Sequence, residues 1–131
     1  MSHENVEIVR RMNVAFNCGE EGWVDFYDPE VEFWMPPEWP EDSVYTGHDD
    51  MRHAAGLWGR SFSEYEWTMD RLIDASDCVV ALQRHRGRIG DDGAWVERPI
   101  GAVYYLTDGK IVRVLTFFSW SEALEAAGLE E

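Results

Sequence analysis

WVERPIGAVYYLTDGKIVRVLTFFSW, residues 95–120, reads as two long strands folded back on each other at Asp108-Gly109-Lys110. β-Branched and aromatic residues crowd both arms, and Asp-Gly between them is a strong hairpin signal. In the second arm, Val112, Val114, Thr116, Phe118 and Trp120 fall on one face by strand alternation. Ile111, Leu115 and Phe117 fall on the other, interrupted by Arg113 and Ser119. An antiparallel strand ordinarily wets one face, so apolar residues on both sides predict that both are covered. One cover must come from within the chain; a second copy is the expected cover of the other.

Upstream of the hairpin, Cys78–Arg88 reads as a strand ending at the turn Gly90-Asp91-Asp92-Gly93. Glu64–Asp74 reads as another, with Tyr65, Trp67, Met69 and Ile73 on its apolar face and Glu64, Glu66, Thr68 and Asp70 on its wet one. In the N-terminal half, three- and four-residue spacing of Val6, Val9, Met12 and Phe16 predicts a helix over 4–17, closed by Gly19. A short helix over 20–27, a strand at 31–35 broken by the prolines from Pro36 to Pro40, a brief strand at 44–46 and a helix over 49–60 follow. A last short capped helix over 121–127 ends at Gly128. The expected fold class is α+β: a strongly curved, mainly antiparallel sheet with three N-terminal helices on its concave face, in one domain spanning 1–131. Such a sheet makes a cone with an opening.

The formal net charge of −15 argues against nucleic acid or an anionic membrane as a partner. Seven tryptophans must fill a core, line a cavity or build an interface. Cys18 and Cys78 are too few and too far apart for a disulfide framework or a zinc knuckle, and both are expected to be small buried residues. No metal and no cofactor is expected. No apolar run approaches the ~20 residues of a membrane span and the N-terminus lacks a signal pattern, so the expected location is the cytoplasm. The single positive cluster, Gln83-Arg84-His85-Arg86-Gly87-Arg88, is expected to pair with acids across the sheet or a dimer; holding a ligand carboxylate or phosphate is the alternative.

Five short motifs occur in order: Phe16-Asn17-Cys18-Gly19-Glu20, Asp28-Pro29-Glu30-Val31-Glu32-Phe33, Val44-Tyr45-Thr46-Gly47-His48, Asp108-Gly109-Lys110-Ile111-Val112, and the closing 122–129 segment EALEAAGL. Together they resemble the SnoaL-like branch of the NTF2-like superfamily over essentially the whole chain. The resemblance implies a cone-shaped α+β barrel, homodimeric through its convex sheet face. Its members include polyketide cyclases, ketosteroid isomerase, limonene epoxide hydrolase, scytalone dehydratase and proteins with no known activity. It places the isomerase base at Trp34 or Met35, the oxyanion tyrosine at Met12 and the second aspartate at Ala102, none of which can do that chemistry. The aspartate–arginine–aspartate set of the epoxide hydrolase finds no match along 95–104. The aspartate–histidine pair of the cyclases would use His85, with Arg98 or Glu97 across from it and the aspartate position again at Ala102.

With Asp108 to Lys110 as the turn, Tyr104 faces Val114, Ala102 faces Thr116 and Ile100 faces Phe118. These six, with Met12, Phe16, Phe33, Met35 and Trp58, are the expected lining of an apolar pocket. Tyr104, Tyr45 and Thr116 are its polar handles, and His85 and Tyr45 are the catalytic candidates. Such a lining suits a small hydrophobic or aromatic molecule. Three readings stay open: a binding protein for such a molecule, an enzyme with an unorthodox residue set, and a dimeric interaction module with a filled cone. A pocket of ~300 Å³ or more with a polar group among the rings favours the first two. A buried histidine touching a carboxylate favours the second.

Overall fold

The computed structural model describes residues 2–38, 44–59, 62–75, 78–90 and 93–129, without the side chains of residues 2, 3 and 57–59. Helix α1 (Ser2–Asn17) is followed by a 3-10 segment (Glu21–Phe26), strands β1 (Tyr27–Trp34) and β2 (Val44–Thr46), and helix α2 (Gly47–Gly59). Then come β3 (Glu64–Asp74), β4 (Val79–Arg88), β5 (Trp95–Thr107), β6 (Lys110–Phe117) and helix α3 (Trp120–Ala126). The six strands form one sheet in the order β2-β1-β6-β5-β4-β3, with β1 parallel to β6 and every other pairing antiparallel. No helix among the described residues is long and apolar enough to cross a membrane.

Helix α1 lays Val9 and Met12, both with no exposed area, onto the inner face, and Gly19 ends the segment at φ 72°. β3 is an edge strand, and Asn17 occupies its free backbone groups: the Asn17 side chain receives the Trp67 N–H and donates to the Trp67 carbonyl. The expected short helix over 20–27 is a 3-10 segment ending at Phe26, and Tyr27 already opens β1. Asp28-Pro29 therefore lies within a strand. The His48 Nε2–H donates to the Tyr27 carbonyl at 2.8 Å and ties the start of α2 to that strand.

The hairpin turn is shorter than expected. Asp108 and Gly109, at φ 50° and 80°, form a two-residue turn closed by the Thr107–Lys110 pair. A bulge then inserts Val112, so that Tyr105 pairs Arg113 while Leu106 pairs Ile111. Ile111 consequently joins Val114 on the inner face instead of opposing it. A second bulge in β3, between Met69 and Arg71, moves Leu72 to the inner cluster and Ile73 to the outer one.

Two apolar clusters result, one on each face of the sheet. The inner cluster gathers Val9, Met12, Tyr27, Trp67, Tyr104 and Val114 beneath α1 and the 3-10 segment. The outer one joins Val80, Leu82 and Val103 to Ala123 and Leu124 of α3. The cover supplied to the outer face from within the chain is thus the C-terminal helix. Ser119 caps it, accepting from the Glu122 N–H at 3.4 Å. Trp120, expected at the end of the strand, is the first residue of that helix, and its indole N–H donates to the Gln83 carbonyl at 2.9 Å.

Beyond α3 the outer face is charged. Arg84 meets Asp70 at 2.7 Å and Glu97 at 3.2 Å, Arg86 reaches Glu66 at 3.8 Å, and Arg88 reaches Glu64 at 3.6 Å. These arginines pair with acids on both neighbouring strands. Cys78 is buried as expected, whereas Cys18 is exposed, because the chain leaves the inner stripe of α1 at its last turn.

Candidate functional site

The mouth of the cone holds a cavity of about 120 Å³ between the inner sheet face, the 3-10 segment and α2. Of the residues expected to line it, Phe16, Phe33, Met35, Ile100, Tyr104, Thr116 and Phe118 are in its wall. Met12, Ala102 and Val114 are not: each is at most 1% exposed and packs deeper in the inner core. The Trp58 side chain lies outside the described residues. Tyr45 is buried beside Phe33 in the β1–β2 ladder and does not reach the wall.

Residues absent from the expected lining complete it, among them Trp23, Tyr27, Tyr65, Trp67, Gln83 and His85. For Tyr65, Trp67, Gln83 and His85 the signal was cross-strand register. Gln83 pairs Ile100 and Met69, and His85 pairs Arg98 and Trp67, so the odd-numbered residues of β4 face inward while Arg84, Arg86 and Arg88 face out. Phe16 meets Trp23 and Trp67 edge-on, with ring centroids 5.1 Å and 5.0 Å apart. Edge-to-face contacts are a favoured aromatic packing and fix the orientation of these rings.

Four polar side chains cross this apolar wall as one hydrogen-bonded chain. The Tyr65 hydroxyl meets His85 Nδ1, His85 Nε2 lies 2.8 Å from Gln83 Oε1, and Gln83 Nε2 donates to the Tyr104 hydroxyl oxygen at 3.0 Å. Because Gln83 Oε1 can only accept, Nε2 of His85 carries the proton and Nδ1 accepts from Tyr65. Burial drives the His85 pKa down to about 3, so its ring is neutral. Burial likewise raises the pKa of Tyr104 and of Tyr27, against a lowering contribution from the Gln83 bond at Tyr104. The Tyr27 hydroxyl donates to Met12 Sδ at 3.3 Å, and the Thr116 hydroxyl donates to the Trp34 carbonyl at 2.6 Å. The indole N–H of Trp67 is buried with no hydrogen-bond partner among the described residues.

No carboxylate lines the cavity among the described residues. Across from His85 stands Arg98, whose guanidinium lies over the Phe118 ring at 4.0 Å. Glu97 faces outward to Arg84 and Arg86. The described residues contain no group of three or more His, Cys, Asp and Glu that could hold a metal ion. What the arrangement can do chemically is hold an uncharged apolar body against neutral donors and acceptors, with a neutral imidazole in contact with a phenol.

No curated protein matches the sequence. Among solved structures, Bal32a from a soil-derived mobile gene cassette superposes with a TM-score of 0.78 at 17% identity, over 88% of each chain. An NTF2-like protein of unknown function from Burkholderia pseudomallei K96243 gives 0.77 at 19% identity, over 93% of this chain and 95% of that one. TerC, co-crystallised with polyporic acid, gives 0.76 at 17% identity, over 95% and 98%. These likenesses establish the NTF2-like fold. The sequence itself fits the SnoaL-like domain over residues 9–114, and the chain therefore belongs to the SnoaL-like family.

Proposed function

We propose that the protein binds a small, uncharged, apolar or aromatic molecule in the cavity at the mouth of its cone. The observation that carries this reading is the wall itself: aromatic and aliphatic side chains, no carboxylate among the described residues, and polar groups that are neutral. Volume sets the scale. A dry cavity of ~150 Å³ holds benzene, and drug-sized ligands take ~300 Å³ or more. At about 120 Å³ the hollow suits a single ring, a smaller guest than the expected pocket implied. TerC, a neighbour in fold, was crystallised with polyporic acid, which supports the small-molecule reading by likeness.

The second reading is an enzyme of the same fold, favoured by the contact between His85 Nδ1 and the Tyr65 hydroxyl inside the cavity. A neutral imidazole accepting from a phenol has the geometry of a proton-transfer pair. The filled-cone interaction module has less support, because a hollow is present.

Ala55, on α2 and in the wall, offers a direct test. Toluene titrated into the wild-type protein should perturb the NMR signals of Ile100 and Thr116 saturably, and Ala55→Trp should abolish that response while keeping the fold. Perturbation that persists unchanged in a folded Ala55→Trp protein, or none in the wild type, would count against the cavity as the binding site.

A further inference from the structure

We propose that the Tyr104 hydroxyl is the donor that fixes the ligand's orientation, and that the ligand is an uncharged single-ring compound carrying a carbonyl oxygen. This rests on the cavity reading above and names the chemistry of the guest.

Hydrogen-bond bookkeeping leads to it. Tyr104 is 1% exposed, lines the cavity, and receives the Gln83 side-chain N–H at 3.0 Å. A phenol has one proton to give and lone pairs to receive. Since Gln83 fills the receiving role, the Tyr104 proton remains to be donated, and no acceptor for it occurs among the described residues. A buried donor without an acceptor costs roughly 1–3 kcal/mol, so such a group in a cavity wall points to an acceptor that arrives with the guest. The bond from Gln83 also withdraws charge from the phenol oxygen, which strengthens the remaining O–H as a donor.

Trp67 supports the same direction independently. Its indole N–H is buried without a partner, and its ring lies beside His85 with centroids 5.3 Å apart in the same wall. Among the described residues of the wall, two orphan donors and no orphan acceptor select an accepting oxygen over a donating one.

Charge narrows the class further. The chain carries −15 overall, no cation lines the wall among the described residues, and Arg98 is laid on Phe118 without lining the cavity. An anionic oxygen would enter against the protein's field with no counter-charge inside. A neutral carbonyl meets both donors at no such cost.

Benzaldehyde and styrene are the probes, equal in heavy atoms and differing in the acceptor. Wild-type protein should bind benzaldehyde about tenfold more tightly than styrene, the worth of one net hydrogen bond. Tyr104→Phe should weaken benzaldehyde to the level of styrene and leave styrene unchanged. The carbonyl stretch of bound benzaldehyde, read by infrared difference spectroscopy on the wild type alone, should move below its value in hexane. That measurement decides the matter even where the variant fails to fold. Equal affinities with an unshifted stretch would overturn the proposal, as expected if the Gln83 amide sat the other way and took the Tyr104 proton, while leaving the cavity reading intact. Retention of the preference in folded Tyr104→Phe would also overturn it, by giving the oxygen to another donor. Binding of neither probe would remove the cavity reading and this proposal with it.

Discussion

His85 Nε2 lies 2.8 Å from Gln83 Oε1, its neighbour two residues back on the same inward face of β4. The amide oxygen fixes which imidazole nitrogen is protonated, and the Tyr65 hydroxyl occupies the other. At pH 7 the ¹⁵N shifts of His85 should therefore report a neutral ring with the proton on Nε2. A ring protonated on Nδ1 would reverse the direction of the whole chain from Tyr65 to Tyr104.

The same burial makes stability depend on pH. His85 titrates near 3 when folded and near 6.5 when unfolded. Between those values the unfolded chain holds a proton the folded one lacks, so stability rises with pH through that window. The contribution is fully present above about pH 6.5, drains away as pH falls, and is lost below about pH 3. For a partly exposed ring the loss is on the order of 3 kcal/mol. Carboxylates titrate in the lower part of the window, so the comparison is with His85→Gln. Urea midpoints of the two proteins should converge as pH falls from 7 to 4; parallel curves would show that the ring is not held neutral.

Gly101 in β5 lies directly under α3. A Cβ placed there would stand 2.5 Å from Ala123 Cβ and 2.9 Å from the Ser119 carbonyl oxygen. Neither neighbour is the movable end of a long side chain, so Gly101→Ala must lift the helix. A cost of about 1–3 kcal/mol is expected, read as a lower urea midpoint. Ala123→Gly added to it should restore part of the loss, because it removes the nearer contact and leaves the carbonyl. Full stability in the single variant would mean that α3 is loosely seated.

The hairpin was legible for a reason that differs from its geometry. A three-residue turn predicts Ala102 opposite Thr116 and Tyr104 opposite Val114, and both pairs occur. They arise from a two-residue turn plus one bulged residue, Val112, which together give the same offset. Neither bulge has a local signature in residue type, so the faces of Ile111 and Leu72 could not be read. Apolar spacing identifies an inward residue but not its depth, which is why Met12, Ala102 and Val114 lie behind the wall instead of in it. Gln83 and His85 were hidden by the outward arginines that alternate with them. The cover provided by α3 depends on where the chain turns after Phe117, which periodicity does not encode.

The remaining outer surface carries the last prediction. On β1, Trp34 is 37% exposed, and Arg113 of β6 lies between its ring and that of Tyr105, at 6.0 Å and 5.6 Å. Leu115, which pairs Trp34 across the parallel ladder, is only half-buried, since α3 packs chiefly on β5. A tryptophan and a leucine left side by side, with an arginine laid between two rings, have the composition of an interface core, and Glu32, the ladder partner of Arg113, accepts from the Trp34 indole N–H at 3.1 Å. A two-fold partner seated here would bury both apolar groups. Trp34→Glu is a better probe than a change at Phe117, which belongs to the cluster under α3 and would disturb the helix as well. Wild-type protein should sediment as a dimer and Trp34→Glu as a folded monomer, with the same far-ultraviolet circular dichroism. A wild-type monomer at ~100 μM, tenfold or more above the dissociation constant of an ordinary specific dimer, would remove the second copy as the outer cover.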